Sequence, residues 1–154
     1  MTGRLKSVKS ILMLPALGIA LMAATGATLL AQAPATSTLT LKVTGIRNTE
    51  GNVRVVLRSD PNTVVQSRAS EIDATTMTAT AVFEELPQGA YGVVAVHDEN
   101  KNGKLDFNEM GMPLEGYGHS NNPEKRMGAP GFDETKFTLN QATTSIEIEL
   151  IYWP

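Results

Sequence analysis

From Leu39 onward apolar and polar residues trade places at each step, with Leu39, Leu41 and Val43 set between Thr40, Lys42 and Thr44. A period of two, rich in Thr and Val, predicts a strand with one buried face. The pattern breaks at Asn48-Thr49-Glu50-Gly51-Asn52, a cluster of turn residues, and resumes over Val53–Arg58. The two stretches read as a β-hairpin whose connection exceeds the two-residue minimum. Residues 60–75 are polar and irregular, with room for a short helical turn. Alternation returns over Met77–Phe83, Leu86-Pro87-Gln88-Gly89 makes a turn, and Ala90–His97 follows as the most apolar and therefore central strand. Residues 98–133 form the longest irregular run, and Lys136–Leu139 and Ser145–Ile151 close the chain as strands. About six strands separated by turns predict an all-β antiparallel sandwich, immunoglobulin-like or transthyretin-like, with one long ordered loop; a small open barrel is the alternative.

The first third of the chain follows another rule. Arg4, Lys6 and Lys9 precede an uncharged stretch from Ser10 to Ala33, whose apolar part ends in Ala31-Gln32-Ala33. Basic, apolar and small-residue segments in that order predict a secretory signal peptide over residues 1–33, with Ala33-Pro34-Ala35 as a second cleavage site. The competing reading is a membrane anchor, since about 20 apolar residues cross a bilayer, but Pro15, Gly18 and Gly26 make a mediocre permanent span. Residues 34–38 read as a short linker and 39–154 as one domain, periplasmic or secreted, with no stable membrane insertion after cleavage. With no cysteine in the chain, neither disulfides nor a lipid-bearing cysteine enter the picture. The leader holds three of the thirteen basic residues and none of the sixteen acidic ones, so the remainder carries a formal charge of −6. An acidic surface repels phosphate backbones and argues against a nucleic-acid partner, while it suits a hard cation.

The long irregular run opens with Asp98-Glu99-Asn100-Lys101-Asn102-Gly103-Lys104-Leu105-Asp106-Phe107-Asn108-Glu109. On the twelve-residue EF-hand loop, Asp98, Asn100 and Asn102 take positions 1, 3 and 5, and Gly103 the sharp turn at position 6. Lys104 offers its carbonyl at position 7, Asp106 sits at position 9 and Glu109 at position 12. Calcium takes six to eight oxygens, and alternate residues of a tightly turning loop can all aim inward. These six residues are therefore the expected ligands of a structural Ca²⁺, with affinity on the order of 10⁻⁴–10⁻³ M, as in extracellular modules. The flanks are not helical: Val93-Val94-Ala95-Val96 is strand-like and Pro113 stops a helix, so a calcium-triggered opening is not expected. The competing reading is a metal-free turn in which Asp and Asn side chains bond their own backbone.

His97 and His119 bracket this run. They raise two further readings: a transition-metal site built on both imidazoles, and hydrolysis with Ser120 as nucleophile and a histidine as base, oriented by Asp98 or Glu115. Neither G-x-S-x-G nor H-E-x-x-H supports them. Tyr117, Phe107, Phe132 and Trp153 read as packing residues.

His97-Asp98-Glu99-Asn100, Asn102-Gly103-Lys104-Leu105-Asp106, Gly111, Pro113, Glu115-Gly116-Tyr117-Gly118 and Ser120-Asn121-Asn122 resemble the signature of a bacterial exported family, the domain of unknown function numbered twenty-one forty-one. Gly45-Ile46-Arg47, Gly51 and Leu86-Pro87-Gly89-Tyr91 fit the same pattern, so the resemblance spans about Leu39 to Tyr152. It implies export and a prealbumin-like or carboxypeptidase-regulatory-like β-sandwich, and it carries no catalytic residues. The function expected is thus a non-enzymatic calcium-stabilised module that meets an envelope protein or glycan. The alternative is a hydrolase, or a carrier of a small ligand or another metal, using His97, His119 and Ser120.

Overall fold

Alternation in the sequence becomes alternation in burial. The computed structural model describes residues 35–126 and 128–154; the expected leader over 1–33 lies outside them. Nine strands follow in chain order: β1 (Thr36–Thr44), β2 (Asn52–Arg58), β3 (Val64–Ser70), β4 (Ile72–Asp73), β5 (Thr78–Pro87), β6 (Gly89–Asp98), β7 (Gly116–His119), β8 (Phe137–Leu139) and β9 (Thr143–Glu149). A single helical turn, α1 (Phe132–Thr135), precedes β8. One sheet has the order β4-β5-β1-β9, and the other β3-β2-β6-β7 with β8 also paired to β6. The expected all-β sandwich is present, and β6 is its central strand.

Leu39, Leu41 and Val43 of β1 and Ala79, Ala81 and Phe83 of β5 face Val53, Val55 and Leu57 of β2 and Tyr91, Val93 and Ala95 of β6. All are buried, and Leu39, Leu41, Leu57 and Phe83 are fully so. Burying such a side chain is worth about 1.5–3 kcal/mol, so this layer dominates the stability.

Three sequence expectations are corrected. β1 and β2 are not a hairpin: β1 pairs with β5 and β9, whereas β2 pairs with β3 and β6 in the other sheet. Alternation fixes which residues face the core but not which strand lies alongside, and the connection over 45–51 is long enough to arch between layers about 10 Å apart. The sheets are not wholly antiparallel, because β9 runs parallel to β1, with Leu41 opposite Ile146 and Val43 opposite Ile148. A strand arriving from the other sheet is free of the reversal that a hairpin imposes. The polar stretch 60–75 forms β3 and β4 rather than an irregular segment. Its residues are mostly exposed at a sheet edge, so no face of it needs to be apolar.

The arch depends on Gly51, which has φ of +70° and lies against the end of β6. A Cβ there would come 1.9 Å from the Asp98 carbonyl oxygen. Gly51→Ala combines left-handed strain with a clash against backbone, and we expect it to lower the unfolding free energy in urea by about 3 kcal/mol or more.

Candidate functional site

The period of two assigns each face of β6 a task. Tyr91, Val93, Ala95 and His97 point into the sandwich, and Gly92, Val94, Val96 and Asp98 point outward. Cross-strand partners share a face, so Arg54, Val56 and Arg58 of β2 join the outer set through Val96, Val94 and Gly92. Tyr117 and His119 of β7 join it through Val96 and Val94. This outer surface is apolar at its centre, and the chain between β6 and β8 folds over it.

The cover is fastened by buried carboxylates. Asp98, 1 % exposed, accepts the Asn102 N–H on Oδ1 at 2.9 Å and the Gly103 N–H on Oδ2 at 2.7 Å. Gly103 turns the chain with φ of +84°. Asn100 and Asn102 aim their side-chain amides at one atom, Asp106 Oδ2, each at 2.7 Å. Asn100 Oδ1 accepts the Asn102 N–H and Asn102 Oδ1 the Lys104 N–H, successive Asx turns that tighten the loop. Lys104 Nζ lies 3.8 Å from Asp106 Oδ1. Five of the six expected ligands, Asp98, Asn100, Asn102, Lys104 and Asp106, are thus drawn into one tight loop.

Glu109 is placed differently. Asp106 accepts the Leu114 N–H and Met112 the Asn108 N–H, so residues 106–114 form a small hairpin. Asn108 Oδ1 caps its tip by accepting the Met110 and Met112 N–H groups, and Glu109 stands exposed in that tip. Another carboxylate closes the loop from beneath. Glu115 is buried and accepts the Glu99 N–H at 2.9 Å and the Asp106 N–H at 3.1 Å. The sequence offered no signal for this role, since Glu115 follows the loop and its approach depends on the hairpin reversing the chain. Among the described residues no three His, Asp or Glu side chains converge as a metal-sized group.

The two histidines lie on opposite faces of their sheet. His97 is fully buried; its Nε2–H donates to the Glu50 carbonyl, and its Nδ1 lies 2.8 Å from the Tyr152 hydroxyl. Burial pushes that hydroxyl above its usual pKa, so it stays protonated, and in the neutral imidazole it donates to Nδ1. Both nitrogens are spent on structure. Ser120 is fully buried as well. Its Oγ accepts the Val93 N–H at 2.9 Å and donates to the Thr135 carbonyl, tying β6 to α1. His97, His119 and Ser120 therefore form no common site.

Between the outer surface and its cover lies a cavity of about 600 Å³. Arg58, Val94 and His119 contribute to its floor, and Phe107, Phe132 and Trp153 to its walls. Burial, and secondarily the charge of Arg58, hold the His119 pKa down to about 4. Trp153 Nε1–H donates to the Tyr117 hydroxyl at 2.8 Å, fixing one wall.

The uncharacterized proteins conserved in bacteria, DUF2141, have a family model that matches residues 41–147. The chain belongs to the DUF2141 family. No curated protein matches it. The DUF2141 match runs from β1 into β9 and contains the whole loop and its cover.

Two predictions follow from this geometry. Glu115→Ala orphans two backbone N–H groups, and its thermal or urea stability should fall by about 2–3 kcal/mol whether or not calcium is present. For His119 the folded pKa near 4 lies below the ordinary 6.5. The unfolded chain therefore takes up a proton that the folded chain refuses, and stability falls as pH is lowered through this window. Melting curves of the protein and of His119→Asn between pH 7 and about 4 should converge in slope only if His119 is not the group responsible.

Proposed function

We propose that this DUF2141 protein is an exported, non-enzymatic binding module whose long loop is stapled by Ca²⁺ and presented to an envelope protein or glycan. The observation that carries the reading is the gathering of Asp98, Asn100, Asn102 and Asp106 in one loop, with both amides directed at a single Asp106 oxygen. The donor chemistry fits a hard cation. Each Asp98 oxygen keeps a lone pair beyond its bond to backbone, and the two amides present oxygen when turned about their terminal torsion. Asp98, Asn100, Asn102, the Lys104 carbonyl and Asp106 would hold the ion. Glu109 would reach it only if the hairpin tip folded back. Bound Ca²⁺ supplies positive charge that replaces the two amide N–H groups beside Asp106, and it holds the loop without a helix pair to move.

The hairpin that the loop projects supports a contact role. Phe107, Met110 and Leu114 are exposed along it, at 55 %, 81 % and 53 %. Large apolar side chains clustered on an ordered projection mark an interaction surface more often than a neutral one.

Calcium titration followed by calorimetry and thermal melting tests the reading. At a hundred times the dissociation constant, stabilisation should approach about 2.7 kcal/mol. Asp106→Asn should abolish that shift while leaving the melt in chelator within about 1 kcal/mol of the wild type, since a half-buried side chain of the same size is kept and its amide oxygen can still accept the two asparagine amides. Equal melting in calcium and in chelator for the unaltered protein would sink the proposal.

A further inference from the structure

The cavity beside the loop is a second feature, and the calcium reading leaves it unused. Its volume of about 600 Å³ lies within the roughly 300–1,000 Å³ typical of small-molecule sites. Most of its lining is apolar: Val94 on the floor, with Phe107, Phe132 and Trp153 around it. Into this lining the fold sets one guanidinium with little to do. Arg58 donates Nη1–H to the Pro61 carbonyl at 3.2 Å, and its buried Nε has no hydrogen-bond partner. No carboxylate pairs with Arg58 among the described residues, whereas Arg126 at the rim is held 2.6 Å from Glu134. His119 stands on the same floor, on the far side of β6 from Arg58.

An unpaired guanidinium beside apolar surface carries a desolvation penalty that an anion would relieve. A purely apolar ligand would leave Arg58 unanswered, and a polar ligand would waste the aromatic walls. A cation would meet Arg58 with like charge. We propose that the cavity is a binding site for a small organic monoanion with an apolar body, its acidic head received by Arg58 with His119 beside it, and its body packed against Val94, Phe107, Phe132 and Trp153. Net negative charge elsewhere on the domain does not favour anions in general, so selectivity rests on this local pairing.

A fluorescent pair tests it: 8-anilinonaphthalene-1-sulfonate, which has the anionic head, and N-phenyl-1-naphthylamine, the nearly isosteric neutral compound. All titrations are run with calcium present, so that failure of the loop reading does not masquerade as failure of this one. The sulfonate should bind saturably at one site per chain and about tenfold or more tighter than the neutral compound. Arg58→Gln should bring the two affinities together, Arg58→Lys should restore part of the gap, and Arg126→Gln should leave it. Val94→Phe should weaken both compounds by filling the floor; if that variant melts early, Phe107→Ala serves the same end from the wall. Decanoate should displace the sulfonate from the unaltered protein. Equal affinity for the two compounds, indifference to Arg58→Gln, or Arg58-dependent sedimentation with phosphatidylglycerol vesicles in the absence of soluble binding would each overturn the assignment.

Discussion

The structure turns on β6 being buried on both faces. A strand with partners on both sides and an apolar inner face is ordinary in a sandwich, but here Val94 and Val96 also make the outer face apolar. Val96 is only 8 % exposed. Left to water, those side chains would forfeit about 1.5–3 kcal/mol each. The chain between β6 and β8 therefore has to lie across the outer face, and its length follows from the area to be covered. A long connection in a small domain is usually functional or disordered; this one is an ordered cover.

A cover of this kind has a weak point. It includes the run Gly128, Ala129 and Pro130, whose small side chains offer little to pack with. Order comes instead from side chains bonding backbone: Asp98 and Glu115 accept four N–H groups between them, and Ser120 bonds both β6 and α1. Once buried, each of these acceptors would cost about 1–3 kcal/mol per group if its partners left, so the cover cannot peel away piecemeal. At the inner end, His97 links Glu50 to Tyr152, whose hydroxyl also accepts the Arg47 N–H. Arg47 in turn pairs with Glu99 at 2.7 Å. The first arch, the start of the loop and the C-terminal segment are joined in one network, and a bound cation would reinforce an arrangement that the buried carboxylates already define.

Much of this was legible in the sequence, and the limits have physical causes. β1, β2, β5, β6, β8 and β9 announced themselves because each has at least one apolar face. β3 did not, since an exposed edge strand needs none. β7 did not either: its Gly116 and Gly118 exist to admit neighbours, a Cβ at Gly116 falling 2.3 Å from the Tyr152 ring and one at Gly118 2.6 Å from the Glu149 carbonyl. Asp98, Asn100, Asn102 and Asp106 could be read together because spacing within a tight loop is nearly geometry. Spacing alone put Glu109 at position 12 and gave Glu115 no place in the loop, because which carboxylate returns to the loop depends on the reversal over 106–114. Arg58 could be read only as the end of a strand, because alternation tells which face a residue takes and not what comes to cover it.

That last point bears on why the cavity persists. A twisted sheet covered by another sheet can interdigitate to native density, whereas a twisted sheet covered by loop leaves space where the loop bends. Stability alone would favour closing the gap with a larger side chain at Val94 or removing the charge at Arg58, since cavities and unpaired buried donors each cost about 1–3 kcal/mol. The fold keeps both in the same place. Departures from good packing and from polar satisfaction are expected to coincide where a protein binds something, because the ligand supplies the missing volume and the missing partner together. A void lined only by valines and phenylalanines would be explained by imperfect cover, and a guanidinium without a carboxylate at the surface by water. Their juxtaposition is what favours an amphipathic anion over a packing fault, and it ties the cover over β6 to a chemical task as well as to the burial of Val94 and Val96.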